Sequence, residues 1–374
     1  MSTITAATLA PDVVELRQFP RPDVGPTGML IEVLSAGICG SDKHMYQGHA
    51  KLQFPVAAGH EMVGRVAAMG DQFETSSRIV GGPVQVGDRV TITPSTQGCR
   101  QCWFCSHVPH KPSLCPNRLI YGFTPVSKSP HLYGAFSQMM YVGPKSNVFK
   151  IPDDLSDERA AMTEPMAVAS RAVERAMGGG IPHIGEGLSV GKRVAVLGAG
   201  PIGQLVVVAL RHAGVGTIMV SDISEHRLQM ARRMGADITL CIKDMDASQR
   251  LEAVREATDG VGPDVVIEAA GVPAAFEEGL AMVRRGGRLV EVGHFFENGT
   301  IALSPHTICH KEADVLGVWA YPPMQFETAL YLLSHSSAPL DDLMTTTLPL
   351  AEFEQGVRLT GNEQVIKVMI NPQL

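Results

Sequence analysis

Residues 193–203 read RVAVLGAGPIG, an apolar run of strand length that ends on glycine and continues through Gly-x-Gly-x-x-Gly into PIGQLVVVALRHAG, which has helical periodicity. In a strand–turn–helix of this kind each glycine has a task. Gly198 makes the tight turn, Gly200 lets the backbone approach a pyrophosphate, and Gly203 allows close packing of the helix. Pro201 and Ile202 open that helix, whose N-terminus attracts phosphate. Asp222 ends the next strand, TIMVSD, nineteen residues past Gly203. A carboxylate there can bind both hydroxyls of an adenosine ribose and repels a 2′-phosphate, which predicts NAD rather than NADP. The competing reading of Asp222 is a cap for the helix SEHRLQMARR. Arg227, one turn into that helix, either flanks the ribose or is a solvated surface residue.

Working outward from the glycine turn, TIMVSD, SEHRLQMARRMG, ITLCI, DVVIEAAG and RLVEVG alternate continuous apolar strands with amphipathic helices. That pattern predicts a doubly wound parallel sheet covered on both faces, over residues 166–319. Gly271, after DVVIEAAG, and Val292 with Gly293, after RLVEVG, fall at the carboxyl edge of this sheet, where the nicotinamide side of a cofactor is expected. Before about Lys150 the texture is different: MLIEVLSAG, GRVAAMG and DRVTITP are short apolar runs broken by Gly and Pro, as in an irregular β unit. Beyond Trp319, the helical MQFETALYLLS and the strand-like VIKVMI need partners outside a completed parallel sheet. Residues 1–165 and 320–374 are therefore expected to form one β-rich domain. The Gly-rich GGGIPHIGEG at 178–187 has no functional account.

A length of 374 residues suits two domains. The formal net charge of −7 argues against a nucleic-acid partner, which would need a basic surface. The N-terminal segment has neither a basic region nor an uninterrupted apolar one, and no apolar run is long enough to span a bilayer, so a cytoplasmic location and no membrane partner are expected.

Four of the seven cysteines crowd together as Cys99-x-x-Cys102-x-x-Cys105, then Cys115. Four thiolates with short spacers can close a tetrahedron around zinc and leave no open position, which marks a structural site. An iron–sulfur cluster or a disulfide pair are the rivals. A second constellation is scattered: Cys39 in GICGSDKH, His60 and Glu61 in AAGHEMVGRV, and Glu164 in TEPMAVAS. Three mixed ligands with an open position would suit a catalytic zinc. Singly, each has a bland reading, as a small buried hydrophobe, a satisfied core histidine or a carboxylate at a helix start.

GICGSDKH, AAGHEMVGRV, the cysteine quartet, TEPMAVA and VAVLGAGPIG occur in the order and approximate spacing of the zinc-containing medium-chain alcohol dehydrogenases. The chain resembles that family over nearly its whole length, and in particular the sorbitol and threonine dehydrogenase branch. The resemblance implies an α/β fold in which a Rossmann NAD-binding domain is joined to a GroES-like catalytic domain carrying a structural zinc lobe. It implies two zinc ions per chain and oxidation of a secondary alcohol or polyol-like substrate to a ketone. Cys39 and His60 would be catalytic zinc ligands, with Asp42 orienting His60. Glu61 or Glu164 would complete the set, Glu164 being favoured. Ser41 matches the family's hydroxyl relay and His44 the residue that passes the proton toward solvent. Lys367 stands where related chains carry a cation toward the cofactor pyrophosphate, the alternative being a strand-end surface lysine. A homodimer or homotetramer is implied as well.

The chain departs from the family in two places. The spacer between Cys105 and Cys115 is longer than usual, and an extended segment, RLIYGFTPVSKSPHLYGAF, follows the quartet. Tyr121, Phe123 and Tyr133 in that segment either line a substrate pocket or pack locally. Two other functions are weighed against the main reading. A zinc-independent quinone or enoyl reductase of the same superfamily would typically lack the cysteines and prefer NADPH. A non-catalytic zinc and nucleotide binder would have no use for Ser41 and His44.

Overall fold

The computed structural model describes residues 3–178 and 187–374, so most of the 178–187 segment lies outside the described residues. The chain divides into two compact units. The first comprises Met1–Glu164, Tyr321–His335 and Met344–Leu374, and the second Pro165–Ala320 with Ser336–Leu343.

The second unit is built on a six-stranded parallel sheet. Its spatial order is Ile238–Cys241, Thr217–Asp222, Arg193–Leu197, Val265–Glu268, Arg288–Glu291, Asp314–Gly317. In chain order this is 3-2-1-4-5-6, the doubly wound Rossmann arrangement, with its switch point between Arg193–Leu197 and Val265–Glu268. Val194, Val196, Val265, Val266, Ile267, Leu289 and Val290 are fully enclosed. Burying each stabilises the sheet by about 1.5–3 kcal/mol.

The first unit has a longer, mostly antiparallel sheet and a small three-stranded one. The strand Met29–Gly37 lies at the centre of the longer sheet. Glu61–Met69 pairs antiparallel with it so that Gly37 faces Glu61, and on its other side Lys367–Asn371 pairs antiparallel so that Gly37 faces Met369. The closing strand VIKVMI thus completes the sheet of the first unit, and the helix Gln325–His335 belongs to that unit too. This register sets the site, because three neighbouring strands bring residues near 38, 61 and 367 to one place.

Among the described residues, no helix is long and apolar enough to cross a membrane.

Candidate metal and cofactor sites

Cys39 follows the central strand and caps the helix Gly40–Tyr46. Its backbone N–H donates to Asp42 Oδ2 (2.9 Å), while Asp42 Oδ1 lies 4.0 Å from His60 Nδ1. Asp42, with no exposed surface, therefore both ties down the helix start and faces the imidazole. The other ring nitrogen, Nε2, lies 3.4 Å from Ser41 Oγ. One ligand atom from each of Cys39, His60 and Glu61 falls within a 4.8 Å cluster. A side chain at Gly37 would land on the ends of Glu61 and Lys367, so the glycine leaves room for that pair.

Glu164 is also buried, but its carboxyl accepts a hydrogen bond from the Tyr321 hydroxyl (2.6 Å) and is not in the Cys39–His60–Glu61 cluster. Lys367 is not a surface cation: it is 2 % exposed, ion-paired with Glu61, and its Nζ donates to Ile38 O (3.0 Å). A lysine inside an apolar strand needs a carboxylate beside it, and Glu61 supplies one.

Burial opposes charge on His60, but the bond to Cys39, Asp42 and the neighbouring acids outweigh it and hold the imidazole up at about 10. Burial lifts Glu164 to about 7, against the pull of His60 and with Glu61 adding to the rise. Burial and a surplus of anionic donors around a single imidazole together produce these shifts, and that donor set suits a divalent cation. His60 Nδ1 and Asp42 Oδ1, both buried, have no hydrogen-bond partner of their own. His44 is half-buried, its Nδ1 lies 2.9 Å from His49 Nδ1, and burial pushes its pKa down, with His49 adding to the shift.

The cysteine quartet is compact. Cys99 and Cys105 Sγ are 4.0 Å apart and Cys102 and Cys115 Sγ 3.8 Å, against the roughly 3.8 Å between corners of a tetrahedron of ~2.3 Å zinc–sulfur bonds. These separations are too long for disulfides, and all four cysteines are free. The N–H groups of Cys99 and Cys102 donate to Cys115 Sγ and Cys99 Sγ (both 3.3 Å). The Gln101 N–H and the Asn117 amide lower the Cys99 thiol to about 6, favouring the thiolate that a metal needs.

In the extended segment after the quartet, Tyr121 and Tyr133 pack locally. The Tyr121 hydroxyl lies 2.7 Å from Ser146 Oγ and accepts from the Gly143 N–H, and the Tyr133 hydroxyl donates to Ser129 O. Phe123 instead lies 5.2 Å from the His60 ring.

In the second unit, Gly198 has φ +97° and a Cβ there would press on Ala270, while one at Gly203 would land on Gly198 O. At Gly200 a Cβ would meet nothing within 4 Å, which leaves its backbone approachable from outside. Pro201 is the first helical residue, where its missing N–H costs nothing. Asp222 is buried: Oδ2 accepts from the Ala199 N–H (2.7 Å) and Oδ1 from Ser224 N–H (2.8 Å). The cap of the following helix is Ser224, not Asp222. Arg227 is half-buried, and its carbonyl accepts from Gln204. Val292 N–H donates to Glu268 O, and Gly271 and Gly293 are in backbone contact with each other.

Residues 25–153 match the alcohol dehydrogenase GroES-like domain and residues 201–335 the zinc-binding dehydrogenase family. Sorbitol dehydrogenase of Bacillus subtilis is 33% identical over 369 residues, covering 96% of this chain and 94% of that one. The chain belongs to the zinc-containing medium-chain alcohol dehydrogenases. Among solved structures, an alcohol dehydrogenase from Thermotoga maritima matches with a TM-score of 0.89 at 29% identity, covering 99% of this chain and 100% of that one. A zinc-binding dehydrogenase from Sinorhizobium meliloti bound to NADP matches with a TM-score of 0.85 at 26% identity, covering all of both chains. This dehydrogenase is accordingly an oxidoreductase acting on the CH–OH group of small-molecule alcohols, with zinc and a nicotinamide cofactor.

No local pattern marks Tyr321, which lies 157 positions from its partner Glu164. The pairing of Lys367 had a usable signal, a charged residue within an otherwise apolar strand.

Proposed function

We propose that this chain is an NAD- and zinc-dependent dehydrogenase that oxidises a secondary alcohol or polyol to a ketone and carries two zinc ions. One observation carries the reading: Cys39, His60 and Glu61 converge within 4.8 Å, with the Ser41 hydroxyl 3.4 Å from His60 Nε2. Cys39 and His60 with a glutamate would hold the catalytic ion, and Cys99, Cys102, Cys105 and Cys115 the structural one. Glu61 is the nearer glutamate, and Glu164, held by Tyr321, is the reserve ligand. In this reading the expected 1–165 and 320–374, less Ser336–Leu343, form the catalytic domain, and the second unit binds NAD.

When bound, zinc supplies Lewis acidity that lowers the pKa of the alcohol, and NAD supplies the hydride acceptor. The residues of the chain do the rest. Asp42 faces Nδ1 from 4.0 Å and orients the imidazole by its charge, which leaves Nε2 for the metal. Ser41, beside that nitrogen, would accept the substrate hydroxyl proton as it passes its own onward, and His44, its pKa lowered by burial, would be the acceptor that releases it to solvent. Lys367 balances the charge of Glu61.

Gly198, Gly200, Pro201, Ile202 and Gly203 would hold the pyrophosphate, Asp222 and Arg227 the adenosine ribose, and Gly271, Val292 and Gly293 the nicotinamide side. The preference for NAD rests on the Asp222 carboxylate. A relative bound to NADP makes this the finer claim to test. Asp222→Ala should raise kcat/KM for NADP relative to NAD by about tenfold or more, and an unchanged ratio would remove Asp222 from the ribose. A panel of secondary alcohols, polyols and primary alcohols assayed for NAD reduction tests the substrate class, and a preference for primary alcohols overturns it. A homodimer or homotetramer is expected, with sedimentation analysis as its check.

A further inference from the structure

The second unit holds an acidic cluster that the reaction above does not use, with Glu268 buried and Glu291 and His294 half-buried. Glu268 ends the strand at the switch point of the sheet, Glu291 ends its parallel neighbour in register with it, and His294 follows. Glu268 has no exposed surface. Its Oε1 accepts from the N–H groups of Ala270 and Gly271 (both 2.8 Å). Glu291 Oε1 accepts from the backbone N–H of His294 (3.1 Å) and lies 2.9 Å from its Nδ1. The Oε2 atoms of both glutamates are buried and have no donor, while Glu268 Oε2 lies 3.7 Å from His294 Nδ1. Gly293 packs so tightly that a Cβ would land on Glu268 Oε2 and on Gly271 N.

Two carboxylates within 4.8 Å of each other, Glu268 fully buried and Glu291 half-buried, repel unless a proton or a cation lies beside them. A metal drawing on His294 Nδ1 would have to break its contact with Glu291 Oε1, whereas a proton leaves every existing bond intact. We propose that Glu268 and Glu291 share one proton, and that this acid pair, braced by His294, is a positioning device that holds the Gly271 and Gly293 backbone at the edge of the sheet. Burial, reinforced by Glu291, raises Glu268 to about 8, as a shared proton requires. Among the described residues, the other elements packed on the strand bring no charge that would take the proton's place. The neighbouring strand Arg193–Leu197 pairs Leu197 with Glu268; on the flanking helix Pro273–Met282, Glu277 is exposed and Glu278 pairs with Arg250. The positioning role rests on the nucleotide-binding reading above, but the shared proton does not.

Infrared difference spectra of the wild-type holoenzyme at neutral pH, taken against Glu268→Gln, should show a protonated-carboxyl component that the variant lacks. Glutamine keeps the acceptor for the two N–H groups and donates to Glu291, so Glu268→Gln should bind NADH within about threefold of wild type, while Glu268→Ala should bind about tenfold more weakly with its zinc content unchanged. Should Glu268→Ala fail to fold, Glu291→Gln carries the test. Its amide donates to Glu268, which then stays ionised, and the infrared component should vanish while NADH still binds. A missing component in wild type, or a third metal equivalent that Glu291→Gln removes, overturns the shared proton. Wild-type NADH affinity in Glu268→Ala overturns the positioning role. Failure of the NAD reading itself would show as no NADH binding by wild type, with the infrared component untouched.

Discussion

Within the first unit, the cysteine quartet and the Cys39–His60–Glu61 cluster differ in where their residues come from. Cys99, Cys102, Cys105 and Cys115 belong to one short stretch, their thiols braced by N–H groups of that same stretch. The other cluster draws on a strand end with the helix start after it and on the start of a neighbouring strand, with Lys367 paired to Glu61 from a third strand at the far end of the chain. The quartet is saturated with sulfur, as a closed metal site must be. The scattered cluster mixes sulfur, nitrogen and oxygen with a hydroxyl at its margin, which suits an ion that exchanges a ligand. The lesson is that a site built for stability can be local, whereas one built for turnover needs groups that separate elements hold apart and aim.

That contrast can be broken by experiment. Cys39→Ser should lower kcat/KM by roughly a thousandfold, about 4 kcal/mol, and remove one of two zinc equivalents. Near-normal activity would mean that the scattered cluster is not catalytic. Asp42→Asn should cost about 10- to 100-fold in activity or in affinity for the more labile zinc, measured by titration with a chelator. Tyr321→Phe removes one hydrogen bond to Glu164 and should cost about threefold to tenfold in kcat/KM; no change would make that contact incidental. Cys102→Ser should have the smallest effect on turnover, within about threefold per folded molecule, while the melting temperature falls on the order of 5–10 °C and the other zinc equivalent is lost. A catalytic loss as large as that of Cys39→Ser would erase the distinction between the two clusters.

What could be read in advance follows the same division. The turn at Gly198–Gly203 and the quartet were legible because each is local: strand, turn and helix adjoin in sequence, and three-residue spacing places thiols on one side of a short loop. Cys39, His60, Glu61 and Glu164 were recognisable only as motifs in a familiar order, since nothing in the residues themselves says that they meet. The burial of Lys367 against Glu61 depends on the register of two strands against Met29–Gly37, and register between distant segments leaves no local trace. Tyr121 and Tyr133 carry the same composition whether they line a pocket or fill a core. Glu268 and Glu291 each end an apolar strand, a local signal, but only the parallel register of the two strands brings them together.

Asp222 grips the Ala199 N–H as well as the start of the next helix. Anyone redesigning this enzyme for the phosphorylated coenzyme inherits a conflict, since the charge to be removed is also the brace of the glycine turn. Alanine discards both at once, whereas Asp222→Asn keeps an oxygen for Ala199 and discards only the charge, so comparing the two would separate selectivity from scaffolding at a single position.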